Sequence, residues 1–393
     1  MITPQCKDAE IIRNAKIIIW DEASMISVDQ IMTVDRTLRD IMKVESPLLK
    51  EVPLGGKLFV FGGDFRQVLP VIPRAQRPAI VSQCLNNSPL WPFVKTLRLH
   101  ANMRVQQALS ADNPQLAEAL HRFSLYLLRI GDGKEVVIDS TSFIRLDDEM
   151  ILQGSNISTL ANAVYNNFQN PNDLDADTLV SKAILAPKNT QVSEINSVIM
   201  DQFPGEFVEY LSADKVEDVS LSMLYPTEFL NSLNPGSLPP HCLKLKVGSP
   251  IMMLRNLSPK DGVCNGTRMI CRSFKSHIIE AEIATGPNKE ATFLIPRIDV
   301  ISNEVQTTIP FKRRQFPIRP AFAMTINKAQ GQTLDSVGLF LTTPVFSHGQ
   351  LYVAFSRIKQ PSSIKILLDR QISTIKNHDG LYTENIVFNE VFK

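Results

Sequence analysis

Two adjacent carboxylates, Asp21 and Glu22, end a short apolar run, Ile17-Ile18-Ile19-Trp20. Such a run suits a strand buried on both faces of a parallel sheet. Ligands of open α/β sheets bind at the carboxyl ends of the strands, so the pair stands at the mouth of a site. There one carboxylate can hold Mg²⁺ on a nucleotide while its neighbour orients or deprotonates an attacking water. The competing reading is an N-cap, because acidic residues often begin the helix after a strand. A second apolar run, Leu58–Phe61, leads into Gly62-Gly63-Asp64-Phe65-Arg66-Gln67. The glycines let backbone approach a ligand closely. Asp64, Arg66 and Gln67 supply a carboxylate, a cation and an amide, the groups a γ-phosphate sensor needs; a glycine turn with solvated polar neighbours is the alternative. Arg104 can grip phosphate oxygens in a fork, although residue type alone favours a surface ion pair.

A different set of residues suits a polyanion. Phe311–Arg319 carries Lys312, Arg313, Arg314 and Arg319 with Phe311 and Phe316 interleaved. Cations among stacking aromatics fit single-stranded nucleic acid, and a solvated basic face fits the pattern equally. Arg255, Asn256, Asn265, Thr267 and Arg268 can face a phosphate backbone or form ordinary polar faces of a small barrel. Formal net charge is only +1, so any attraction to nucleic acid has to come from such local patches. The five cysteines, Cys6, Cys84, Cys242, Cys264 and Cys271, form no CxxC pair. Their odd number and wide spacing predict reduced thiols in an intracellular protein, and no zinc site is expected.

The 393 residues allow two or three domains, and 44% hydrophobic content is ordinary for a globular chain. No apolar run is long enough to span a bilayer, and the first ten residues lack the pattern of a signal peptide. Helical spacing predicts helices within 24–42, 116–130 and 157–168. Residues 171–177 read as a linker. The strand Ala183–Pro187, the turn Lys188-Asn189-Thr190 and a helix over 191–200 repeat the first layout and predict a second α/β domain. Residues 201–218 read as polar surface, and 225–240 as loop. From 241 to 310 the segments LKLKV, IMMLRNL, TRMICRSF, IIEAEIA, ATFLIPRI and VQTTIPF are short and often alternating, which predicts a small antiparallel sheet or barrel inserted in that domain. A buried strand over 338–341, a helix over 349–359 and a strand at ILLD follow.

Taken in order, DEAS, GGDFRQ, LRLHANMR, MTINKAQGQTLDSVG and GQLYVAFSRIK resemble the PIF1-like helicases of superfamily 1, especially the Helitron-associated branch. ILAPKNTQVSEIN, VGSPIMMLRNL, GVCNGTRMI and FKRRQFPIR match as well, so the resemblance covers nearly the whole chain. It implies an α/β fold of two RecA-like domains, the first incomplete, with an SH3-like all-β insertion in the second. The implied boundaries are 1–110 for the first domain, 111–180 for a helical connector, 181–240 with 311–393 for the second domain, and 241–310 for the insertion. The implied activity is a 5′-to-3′ DNA helicase using ATP and Mg²⁺, serving DNA repair, recombination, telomere maintenance or Helitron transposition.

Residue by residue, Asp21 matches the metal-associated acid and Glu22 the catalytic base. Gln67 matches the γ-phosphate sensor, with Gly63 and Asp64 beside it. Arg104 matches a phosphate-contacting arginine, and Arg357 an arginine finger. Gly331 and Gln332 lie in the motif coupling nucleotide to DNA. Thr325, Asn327, Lys328, Asn256, Asn265, Arg268, Lys312, Arg313 and Arg314 are the implied DNA contacts; many superfamily 1 members carry histidine where Asn327 stands. Implied partners are single-stranded DNA and forked or G-rich duplex DNA, bound by a monomer with no membrane association, in the nucleus or the mitochondrion. A P-loop of the form GxxxxGK[ST] is expected before the acidic strand, yet only fifteen residues precede Lys16 and none is glycine. The sequence therefore reads as the C-terminal part of a helicase, inactive alone, or else as an ATPase-deficient module that binds DNA or a partner.

Overall fold

A computed structural model describes the chain apart from residues 1, 3, 112, 139–140, 155, 167, 171–175, 218–223, 237, 303–308 and 393. The linker expected over 171–177 and part of VQTTIPF fall mainly among these. The chain divides into two compact units. The first takes Met1–Ile144, Val345–Val353 and Glu384–Lys393; the second takes Arg145–Pro344 and Ala354–Thr383. The boundaries inferred from sequence run differently: the helix Pro114–Gly131 falls in the first unit, and two late segments return to it. Sequence order hides such returns because the contacts that cause them, described below, join residues hundreds of positions apart.

In the first unit, Ile17–Trp20 and Leu58–Phe61 pair in parallel, with Ile17 opposite Leu58 and Ile19 opposite Val60. The helix Val28–Met42 starts at a capping box in which Ser27 and Gln30 exchange side-chain and backbone bonds. Its apolar stripe buries Ile31, Leu38, Ile41 and Met42. One face of the strand pair packs Trp20 and Phe61 with Ile31, Leu85 and Leu90. The opposite face does not match the expectation of strands buried on both sides: Ile17, Ile19, Leu58 and Val60 are 44–70% exposed. Parallel strands are ordinarily covered on both faces, so this is an unusual surface for a solvated unit. Phe388 and Val391 of the returning tail pack with Leu69 and Cys84.

In the second unit, four strands form a parallel sheet in the order Ala323–Thr325, Lys182–Ala186, Ser336–Leu341, Ile364–Leu368. Gly338 of the third strand faces Val164 and Leu160 of the helix Ile157–Tyr165 so closely that a Cβ would sit 2.7 Å from Val164. The helix Asn189–Gln202 buries Val192, Ile195 and Ile199 in the same core. The β-rich region is larger than the 241–310 expected. A five-stranded antiparallel sheet draws on residues 250–320, and a three-stranded one joins Ile298–Ile301, Phe311–Gln315 and Ala213–Val216. Residues 201–218, read as polar surface, thus contain two strands, Val208–Leu211 and Ala213–Val216. Alternation was present in the second, but its inward members include Asp214, whose charge masked the pattern. Residues 225–240, read as loop, hold the short helix Thr227–Ser232.

Candidate nucleotide and nucleic-acid sites

The acidic strand end and the glycine loop are stitched together. The Ala23 N–H donates to the Gly62 carbonyl at 2.7 Å, and the Gly62 N–H to the Trp20 carbonyl at 2.9 Å. A Cβ on Gly62 would lie 3.3 Å from the Asp21 carboxylate, and one on Gly63 3.0 Å from the Ser24 nitrogen. The two glycines are therefore needed for contact between loops, the close backbone approach expected of them. Asp21 is exposed at the strand end, and its Oδ1 accepts from the Glu22 N–H at 2.9 Å. Glu22 holds a left-handed backbone, φ 52°, ψ 40°. That conformation is uncommon for a non-glycine residue and clusters at functional sites. Neither carboxylate starts a regular α-helix: the following turn, Ala23–Met25, is a single 3₁₀ turn, and the helix has its own cap at Ser27. The N-cap alternative is thereby removed.

Asp64 and Gln67 flank a tight turn closed by the Gln67 N–H on the Asp64 carbonyl at 3.0 Å. Asp64 is engaged at both oxygens, by the Arg66 N–H at 3.0 Å and the Tyr352 hydroxyl at 2.9 Å. Arg66 donates through Nε to Asp132 at 2.6 Å, and these two acids hold its guanidinium charged against partial burial. Gln67 is different. Its Oε1 is buried with no hydrogen-bond partner among the described residues, as is the Ser24 hydroxyl. A buried acceptor left unpaired costs about 1–3 kcal/mol, so such groups call for an explanation. Arg104 is exposed in the first turn of the helix Met103–Ser110, whose cap Asn102 accepts from its backbone N–H.

In the second unit, the strand Ala323–Thr325 delivers Asn327 and Lys328 onto a 3₁₀ turn at its carboxyl end. Gly331 takes φ 77° just beyond. Arg357 is buried and donates to the Gln332 carbonyl at 3.1 Å, the Ala329 carbonyl at 3.4 Å and the Ser356 hydroxyl at 2.7 Å. The arginine therefore braces the Gly331-Gln332 turn. Lys328 is partly buried, and burial, followed by the charges of Arg319 and Arg255, pushes its ammonium down to about 8. Arg319 donates to the carbonyls of Gly236 and Leu238, and Arg255 to that of Leu254. Three cations thus gather beside neutral backbone carbonyls, a concentration of positive charge that suits a polyanion. Arg319 and Arg255 were visible in sequence only as two of many cations; their proximity to Lys328 is a property of the fold. Asn256 Oδ1 accepts from the Asn265 N–H at 2.8 Å, so these two shape one turn.

Two expected DNA contacts are corrected. Arg268 is 1% exposed and donates to the carbonyls of Val180, Leu179, Lys182 and Ala321. It ties the antiparallel sheet to the parallel one. Arg313 is fully buried, pairs with Asp214 at 3.0 Å through Nε, and donates to the carbonyls of Pro239, Leu230 and Leu233. The reason is strand periodicity: in Phe311–Gln315 residues 311, 313 and 315 point inward, and Lys312 and Arg314 outward. Those two share Asp299, at 3.3 and 3.5 Å. Phe316, expected to stack on bases, is fully buried. Among the described residues no three potential ligands gather as a metal cluster, and no helix is long and apolar enough to cross a membrane.

Comparison with known proteins agrees with this layout. A family profile described as PIF1-like helicase matches residues 1–141, and one described as the 2B domain of DNA helicase Pif1 matches 228–274. Human ATP-dependent DNA helicase PIF1 is 26% identical over 355 residues, covering 88% of this chain and 46% of that protein. ATP-dependent DNA helicase Pif1 of Campylobacter jejuni is 24% identical, covering 96% and 74%. A Pif1 helicase structure from Bacteroides in complex with ADP-AlF3 and ssDNA superposes with a TM-score of 0.60 at 22% identity, covering 94% of this chain and 75% of that one. The Candida albicans Pif1 structure gives 0.59 at 21% identity, covering 92% and 73%. The likeness establishes the α/β fold of those helicases. The chain spans about half the length of the vertebrate relatives it matches.

Proposed function

We propose that the chain is a PIF1-like helicase, the family whose profiles match residues 1–141 and 228–274, and that it forms most of an ATP-dependent DNA helicase that moves 5′-to-3′ on single-stranded DNA and opens duplex, forked or G-rich DNA. The observation that carries the reading is the stitched pair of loops in the first unit: Asp21 and Glu22 end one strand, and the loop bonded to that end carries Gln67, whose buried Oε1 has no partner among the described residues. Asp21 suits Mg²⁺, which is held by one or two carboxylates and completed by water and phosphate oxygens, and which supplies charge neutralisation when bound. Glu22 orients the attacking water. Gln67 satisfies its buried oxygen on that water or its surroundings, which links nucleotide state to loop position. Arg104 is the first unit's guanidinium for the phosphate oxygens, and Arg357, which braces the Gly331-Gln332 turn, is the second unit's arginine-finger candidate; an arginine finger contributes about 10³–10⁵ in rate in nucleotide hydrolases generally. Lys328, Arg319 and Arg255, with Thr325 and Asn327, hold the strand backbone, and Lys312 and Arg314 add an outer basic stripe. Recognition is then mostly of phosphates and insensitive to sequence.

The 393 residues hold no GxxxxGK[ST]. The phosphate cradle is therefore to be supplied by residues outside them, and the uncovered face Ile17, Ile19, Leu58, Val60 supports a further α/β segment seated there. The same absence favours one second reading, a module that binds single strands without hydrolysing ATP. Work in DNA repair, recombination, telomere maintenance or Helitron transposition, a monomeric state, and a nuclear or mitochondrial place belong to the same proposal. Single-strand binding measured against salt tests it: a log–log slope well below zero supports a phosphate-tracking surface, and equal affinity at low and high salt refutes it.

A further inference from the structure

The loop Gly62–Gln67 is gripped by a segment far along the chain that the assigned roles leave unused. His348 is fully buried, its Nε2–H donates to the Phe65 carbonyl at 2.7 Å, and its Nδ1 accepts from the Phe388 N–H at 2.8 Å. Those two bonds fix one neutral tautomer, and burial favours the uncharged ring. Gly349, φ 71°, lies flush on the loop: a Cβ there would sit 2.4 Å from the Arg66 carbonyl oxygen and 2.7 Å from the Gln67 carbonyl carbon. Tyr352 donates to Asp64 Oδ2 at 2.9 Å, and Asp64 in turn holds the Arg66 N–H. Gly131 packs against both Arg66 and Tyr352, and Asp132 next to it takes the Arg66 guanidinium. Residues 64, 65, 66 and 67 are thus each held from outside the loop.

Against this stands the Gln67 side chain, whose buried Oε1 has no partner among the described residues. An unpaired buried acceptor is a net cost, and on a loop whose backbone is held it is the atom left to take a hydrogen bond from a ligand. Fixing the backbone on all sides while leaving one buried polar tip unpaired is how preorganised sites are built. We infer that His348, Gly349 and Tyr352 are positioning residues that hold the Gly62–Gln67 loop in the conformation aiming Gln67 at its ligand. The helix Gln350–Ser356 that carries Tyr352 runs on in the chain to Arg357, so one segment both sets the sensor loop and ends in the second guanidinium. The inference rests on the reading of Gln67 as a phosphate sensor.

The test uses the full 393-residue chain with Tyr352→Phe, Gly349→Ala and Gln67→Leu. Hydrogen exchange of residues 62–70 should quicken about tenfold in Tyr352→Phe, the size expected for one lost bond to a charged acceptor, with residues 28–42 unchanged. Gln67→Leu should raise the unfolding midpoint by about 3 °C, and Tyr352→Phe should erase that gain, since the unpaired atom costs only when the loop is held. Where ATP turnover is measurable, Tyr352→Phe should lower kcat at unchanged KM for ATP. Unchanged exchange over 62–70 in both Tyr352→Phe and Gly349→Ala overturns the inference, as does a midpoint lowered by Gln67→Leu. Loosened exchange without any ATP turnover in the parent chain upholds the positioning role and counts against hydrolysis by these residues alone.

Discussion

Lys328 gives the sharpest handle on DNA binding. Its ammonium is pushed down to about 8 by burial and by Arg319 and Arg255, so at pH 7 about nine in ten copies carry a proton and at pH 9 about one in ten. A DNA phosphate brought against the three cations reverses both causes and returns the lysine toward its ordinary value near 10.4. Binding then requires proton uptake, and linkage weakens affinity by about tenfold between pH 7 and pH 9. The sign follows from the folded protein alone: the charge is present below about pH 8 and lost above it. The α-amino group and free thiols ordinarily titrate in the same range, so the Lys328 variants, compared with the parent, assign the slope to this lysine. Fluorescence anisotropy with a labelled oligodeoxynucleotide at fixed ionic strength reads the effect. Lys328→Arg should keep its charge and flatten the profile, and Lys328→Met should weaken binding at pH 7 and also flatten it. A parent protein with constant affinity across the window, or a Lys328→Met variant that falls as steeply as the parent, refutes the reasoning.

Other outcomes follow from the same contacts. Asp214→Ala leaves Arg313 buried without its carboxylate and should cost about 3–5 kcal/mol in urea unfolding, while the salt slope of DNA binding in the folded fraction stays unchanged. Lys312→Ala and Arg314→Ala lie on the exposed side of the same strand; each should leave stability within about 0.5 kcal/mol and reduce the salt slope on single strands by about 0.7. Ile19→Lys with Val60→Lys, on the uncovered sheet face, should reduce bound dye fluorescence without lowering the unfolding midpoint.

Much of the fold can be read from the sequence because the strands of the parallel sheets are short apolar runs ending in polar residues, and the helices carry clear 3.6-residue stripes. The helix Val28–Met42 even announces its start through Ser27 and Gln30. Elements with charged interiors are harder to read. Ala213–Val216 and Phe311–Gln315 bury Asp214 and Arg313 on each other, so a pattern rich in charge that reads as surface is half core. Arg268 follows the same logic, a buried cation held through its terminal nitrogens by four backbone carbonyls whose arrival depends on two sheets meeting. At the loops proposed to face nucleotide, residue type and order indicate Asp21, Glu22 and Gln67. Nothing in the order of residues brings His348 or Tyr352 to Asp64 and Phe65, nearly three hundred positions earlier. The adjacency of His348-Gly349-Gln350-Leu351-Tyr352 to Arg357 is the one signal that can point to them.

The direct measurement is ATP hydrolysis with and without single-stranded DNA, on these 393 residues and on a version extended upstream by a segment bearing a glycine-rich phosphate loop. Little or no turnover by the 393 residues, DNA-stimulated turnover by the extended chain, and its loss in Glu22→Gln are the expected results. Brisk hydrolysis by the 393 residues alone, or an extended chain whose turnover survives Glu22→Gln, contradicts the placement of the catalytic carboxylate at the end of the first strand.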